Sequence, residues 1–87
     1  MNRIGMRPVH PGEVLSEEFL TPLGITTEGL ARLLNEPEAE VSGVVSQQIG
    51  VNAGLAKKLS MNLNTTPEFW LNLQSTYELR SAQIERG

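Results

Sequence analysis

Few residues in this chain have the chemistry for catalysis. The 87 residues hold a single histidine, His10, and no cysteine, so neither a thiolate nucleophile nor a Cys/His metal set can be assembled. His10 precedes Pro11-Gly12-Glu13 and is expected as a helix cap, and no phosphate-cradling glycine loop occurs. Neither an enzyme, a cofactor nor a metal is expected. The remaining chemistry is recognition. Glu38, Ala39, Ser42, Gly43 and Ser46 would point outward from one short helix, where glutamate can accept from cytosine and serine is adaptable toward base edges. Phe69, Trp70, Leu73 and Tyr77 recur along a C-terminal helix that is more apolar than one chain of this size needs.

The elements that must carry these residues are all helical. Residues 1–9 read as an extended arm, since Arg7-Pro8 disfavours helix, and Arg3 and Arg7 make it the basic end. Pro11 suits a first helical position, and Val14, Leu15, Phe19, Leu20 and Leu23 follow at helical spacing, leaving Glu13, Glu17 and Glu18 outside. Gly24 is a left-handed stop. Thr26 can cap a second helix that buries Leu30, Ala31, Leu33 and Leu34. Asn35 can supply a left-handed turn, and Pro37 can begin a third helix with Val41, Val44 and Val45 inward. Asn52 caps a fourth helix carrying Leu55, Ala56, Leu59 and Leu63, with Lys57 and Lys58 outside. Thr66 caps the last, which opens Pro67-Glu68-Phe69-Trp70. No strand-like alternation or internal repeat appears. The fold class expected is all-α: five helices in one domain over residues 10–87, with a helix-turn-helix between Thr26 and Val45.

Composition narrows the rest. A chain this short is near the limit of what one hydrophobic core stabilises, so association with another subunit is expected. The last helix offers more than one apolar face, and a single chain buries one stripe. Either a second subunit or the N-terminal arm covers the remainder. The absence of cysteine, of a leader-like run and of a membrane-length apolar segment points to the cytoplasm, with no membrane partner. The net charge of −3 is unlike the basic face usual for a nucleic-acid binder. Any DNA affinity must be local.

The residues also match a known pattern. His10-Pro11-Gly12-Glu13-Val14-Leu15, Glu18-Phe19-Leu20, Pro22-Leu23-Gly24, Leu30-Ala31-Arg32 and Thr65-Thr66-Pro67-Glu68-Phe69-Trp70-Leu71-Asn72-Leu73-Gln74, with Tyr77 and Leu79-Arg80, resemble the HigA antitoxins, also called VapI-like antidote proteins. The likeness spans roughly residues 6 to 82. It implies a lambda-repressor-like helix-turn-helix fold, a homodimer built on the helix at about residues 66–82, binding to double-stranded operator DNA, and neutralisation of a HigB-like toxin that cleaves mRNA. On that reading Thr26, Thr27, Glu38, Ala39, Ser42, Gly43, Ser46, Gln47 and Gln48 face DNA. Phe69, Trp70, Leu73 and Tyr77 join the subunits. Arg3, Arg7, Glu13, Glu17 and Glu18 are candidates for the toxin surface, because an acidic face complements a basic RNA-cleaving partner. That acidic helix is equally readable as a merely solvated one.

The departures from the family matter. Members commonly carry a basic residue at the place of Glu40, and often Asn-Gly-Lys-Arg at Ser46-Gln47-Gln48-Ile49. Between Arg32 and Lys57 there is no positive side chain, while Glu36, Glu38 and Glu40 cluster at the turn. A carboxylate about 7 Å from a phosphate costs about 0.6 kcal/mol in a water-like dielectric, so three together cost roughly 2 kcal/mol before screening. Binding is weakened, not forbidden: helix N-terminal amides, Thr26, Thr27, Lys57 and Lys58 can still hold phosphates. The glutamates also serve the helix dipole. A protein-binding module that has lost DNA is therefore the alternative function.

Overall fold

The computed structural model describes residues 7–86, and its described residues form five helices joined by tight turns. The first, α1, is continuous from Pro11 to Leu23 but changes winding: α-helical over Pro11–Val14, π-helical over Leu15–Leu20, α-helical again over Thr21–Leu23. The Thr21 N–H donates to the Ser16 carbonyl, the five-residue reach of a π turn. Periodicity at 3.6 residues per turn did not foresee this. Pro22 supplies the reason: proline has no N–H for the ladder and crowds the carbonyl one turn back, and a widened turn accommodates it. The change of winding also leaves Leu23 59% exposed, so its expected place in the core is corrected.

The remaining helices are α2, Thr27–Leu34; α3, Glu38–Val45; α4, Ala53–Leu63; and α5, Pro67–Arg86. Their ends follow local rules. Gly24 at φ 68° closes α1, Asn35 at φ 58° closes α2 and Asn64 at φ 58° closes α4. Thr26 Oγ1 accepts from Gly29 N, Asn52 Oδ1 from Leu55 N and Thr66 Oγ1 from Phe69 N, as expected of these caps. Pro37 differs. It is extended, at φ −60° and ψ 143°, and lies just before the first turn of α3 rather than in it.

The core is one cluster: Leu15 and Leu20 of α1, Leu30, Ala31 and Leu34 of α2, Val41 and Val44 of α3, Val51, then Leu55, Ala56, Leu59 and Leu63 of α4, and Trp70 of α5. Leu33, expected inside, is 55% exposed, because Leu30 and Leu34 already define the buried stripe of a helix only eight residues long. Trp70 is fully buried within the single chain. Its indole N–H donates to Thr65 Oγ1 at 2.7 Å, so one threonine caps the helix and its neighbour satisfies the buried ring. Phe19 and Phe69 lie against it, with centroids 5.4 and 5.0 Å away.

At the N-terminus of α1 the backbone approaches another helix directly. A Cβ on Gly12 would overlap the Val44 carbonyl at the end of α3. Gly12→Ala should therefore destabilise the fold by about 3 kcal/mol through overpacking against rigid backbone. Gly24→Ala, where no atom lies within 4 Å, should cost about 1 kcal/mol from the left-handed backbone alone. Chemical denaturation of the two variants checks the difference, and equal losses would show that the approach of α1 to α3 is not tight.

Candidate nucleic-acid interface

The helix-turn-helix is built from α2, the turn at Asn35-Glu36-Pro37 and α3. Glu36 N donates to the Ala31 carbonyl at 3.0 Å and Asn35 N to Arg32 at 3.2 Å, which satisfies the end of α2 and fixes the reversal. Val41 and Val44 are each 1% exposed, so they anchor α3 by one face. At 100° per residue the opposite face carries Ala39, Ser42 and Ser46, all exposed, with Glu38 in the first turn. Thr26 is exposed while its hydroxyl accepts from Gly29, and Thr27 is half-buried. Gln47, at φ 69°, and Gln48 are exposed just beyond the helix.

Gly43 is the exception on this face. It was expected to look outward, but the Ile49 side chain folds back over it, with Cγ1 2.8 Å from where a Cβ would lie. Gly43 is thereby half-buried, and the surface at that point is isoleucine. Sequence pattern missed Ile49 because it lies past the end of the helix; the signal available was a bare glycine in the middle of an outward face.

The charges are also rearranged. Glu36 is paired with Lys58 of α4, so one of the three clustered carboxylates is neutralised by a residue 22 positions away. The same pairing occupies Lys58, which leaves Lys57 as the exposed lysine of α4 for a phosphate. Glu28 and Arg32 pair along α2 at 2.8 Å. Glu38 and Glu40 remain in the first turn of α3, Glu40 half-buried.

The loop after α3 is held by α5. Gln74 Oε1 accepts from Val51 N at 2.8 Å, its Nε2 donates to Glu78 at 2.9 Å, and Gly50 lies directly against its amide. Gln74 stands one turn beyond Trp70 on the buried side of α5, a position from which its role was legible in principle.

The other expected surfaces separate. Arg7 makes a bidentate pair with Glu13, 2.9 and 3.0 Å, which raises the guanidinium and lowers the carboxyl from their ordinary values. Glu17 and Glu18 are exposed on the π-helical stretch of α1. Arg3 lies outside the described residues. On α5, Trp70 has no surface to give a second subunit, which corrects its assignment to a subunit interface. Phe69 is partly exposed, while Leu73 and Tyr77 are half-buried along the same stripe. Among the described residues no group of three His, Asp or Glu side chains is placed to hold a metal, and no helix is long and apolar enough to cross a membrane.

His10 is 3% exposed. Its Nδ1 accepts from Gly12 N at 2.8 Å, and its ring meets Tyr77 of α5 edge-on at 4.8 Å. Burial pushes the imidazole below its ordinary value, and the bond to Gly12 requires the unprotonated nitrogen.

The chain matches no family model. It is 40% identical over 79 residues to antitoxin HigA-1 of Vibrio cholerae, covering 91% of this chain and 74% of that protein. The solved structure of antitoxin GraA superposes with a TM-score of 0.92 at 47% identity, covering 95% of this chain and 89% of that one. Pseudomonas aeruginosa antitoxin HigA, solved with the higBA promoter, gives a TM-score of 0.89 at 41% identity over 93% of this chain and 88% of that one. The helix-turn-helix and this degree of likeness define the class: the chain belongs to the HigA family of helix-turn-helix antitoxins.

The buried histidine makes stability depend on pH with a definite sign. The unfolded chain takes up a proton near the ordinary value of about 6.5, whereas the folded chain resists it to lower pH. The contribution is complete above about 6.5 and is lost as pH falls below it. Glu13 behaves in the carboxylate sense, and its contribution is lost only below about 4.5. The melting temperature should therefore fall between about pH 7 and about pH 5, and His10→Asn, which keeps an acceptor for Gly12, should flatten that fall. An unchanged slope in the variant would remove His10 as its cause.

Proposed function

We propose that this chain is the antitoxin of a type II toxin-antitoxin module, which binds operator DNA as a dimer through α3 to repress its own transcription and neutralises a HigB-like, mRNA-cleaving toxin. The observation that carries the reading is the exposed outer face of α3 on a helix-turn-helix whose inner face is locked by Val41 and Val44. The likeness to an antitoxin solved with its promoter supports it. Thr26, Thr27, Glu38, Ala39, Ser42, Ser46, Gln47 and Gln48 are the proposed contacts, the first two toward phosphate. The pairing of Glu36 with Lys58 favours this over the reading as a protein-binding module alone, because it lowers the electrostatic cost of approaching phosphate.

The dimer is proposed to form along α5. A 20-residue helix is about 30 Å long. From Glu78 to Glu85 its residues are exposed apart from Ser81, with Leu79 and Ile84 at 59% and 54%. Phe69, Leu73 and Tyr77 lie on the side of the helix that carries Ile84 and continue its stripe toward the body of the domain, while Leu79 stands on another side. A two-fold axis would then set two α3 helices about 34 Å apart on a palindromic site. The toxin surface is proposed on α1, at Glu17 and Glu18, beside the Arg7–Glu13 ion pair. The Arg3 side of that surface lies outside the described residues.

Three outcomes are expected. In an electrophoretic shift on the chain's own promoter region, retention should be saturable and sequence-selective at low salt and weaken steeply as salt rises; none at micromolar protein would leave only the protein-binding reading. Glu38→Gln with Glu40→Gln should tighten that binding about five- to tenfold at low salt and less at high salt, since two uncompensated carboxylates are removed. Leu79→Ser with Ile84→Ser should convert a sedimenting dimer into a monomer at unchanged helix content, and a native chain that sediments as a monomer would overturn the dimer.

A further inference from the structure

We propose that Ile49 is a specificity-determining residue of the reading face and that its ligand is the 5-methyl group of a thymine in the major groove. The inference rests on the DNA-reading function proposed above and deepens it by naming what is read.

The centre of the outward face of α3 is formed by Ala39, Gly43 and Ser46. Gly43 has no side chain to offer, and Ile49 fills its place: Cγ1 and Cβ lie 2.8 and 3.4 Å from the position a Cβ on Gly43 would take. Its placement is fixed twice. Gln48 N and Ile49 N both donate to the Gly43 carbonyl, at 2.8 and 3.1 Å, and the following loop is tied to α5 through Val51 N and Gln74. Ile49 nevertheless remains 36% exposed. The result is a preorganised alkyl surface that costs little further ordering on binding.

Chemistry then selects the ligand. No lysine or arginine lies between Arg32 and Lys57, so the bidentate pairing of a cation with guanine O6 and N7 is not available from this helix or the turn after it. The Ser46 hydroxyl already donates to the Gly43 carbonyl at 3.2 Å. Among the four bases, thymine alone presents an apolar group at the major-groove edge. Ile49, with the exposed methyl of Ala39 one further turn along, matches that group and no other.

The test replaces each dT of the bound promoter duplex by dU, which removes only the methyl. For the native chain, at least one replacement in each half-site should weaken retention about fourfold, the cost of one unburied methyl. Ile49→Ser should bind the unmodified duplex about tenfold more weakly and be indifferent to the same replacement, because a lost partner cannot be lost twice. Ile49→Val should keep the discrimination. Thermal melting confirms that Ile49→Ser folds. Selective retention that is indifferent to uracil everywhere, or losses that simply multiply in Ile49→Ser, would overturn this assignment while leaving DNA reading intact. A changed sedimentation or toxin association of Ile49→Ser at unaltered uracil discrimination would place Ile49 in a protein contact, and the assignment would again fall. No selective retention at all would overturn both.

Discussion

The second helix of the helix-turn-helix, α3, is held where it is by the backbone of α1 pressing on its far end. Gly12 lies so close to the Val44 carbonyl that no side chain fits between them. The same short segment supplies His10, whose imidazole caps α1 inward and meets Tyr77 of α5 outward. Three helices distant in sequence therefore converge on four residues, His10, Gly12, Val44 and Tyr77. Since close-packed backbone has no low-cost way to yield, contact with α1 positions the C-terminal end of α3.

From that constraint the remainder of the interface follows. With the C-terminal end of α3 fixed, the loop beyond it must reverse over Gly43 before reaching α4, and Gln74 of α5 receives it at Val51. The turn before α3 is steadied from the other side by Glu36 and Lys58. Both restraints come from helices outside the helix-turn-helix itself. An eight-residue helix would be marginal alone; packing on α2 and α1, with its flanking turn and loop tied to α4 and α5, makes α3 a rigid element.

Pairing leaves the net charge of −3 unchanged but decides where on the surface the unpaired carboxylates lie. Glu13, Glu28 and Glu36 each have a basic partner. Exposed pairs of this kind contribute little to stability, and each neutralises a cation together with its carboxylate. What stays uncompensated on α3 is confined to its first turn, where the helix dipole favours a carboxylate.

Much of this was legible in the chain itself. Caps depend on a residue and its next three neighbours, so His10, Thr26, Asn52 and Thr66, the left-handed stops at Gly24 and Asn35, and the buried stripes of α3 and α4 could be read from local order. Relations between distant segments could not. Trp70 looked like a subunit contact because nothing local shows that Thr65 and Phe19 enclose it; Leu23 and Leu33 looked buried because spacing does not report how many faces a neighbour covers. Ile49 over Gly43, Lys58 against Glu36 and Gln74 on the loop are likewise products of packing. Helix identity and ends were set by short-range hydrogen bonding, which the sequence specifies directly; the shape and charge of the outer face of α3 were set by which helices meet, and only the folded chain brings those groups together.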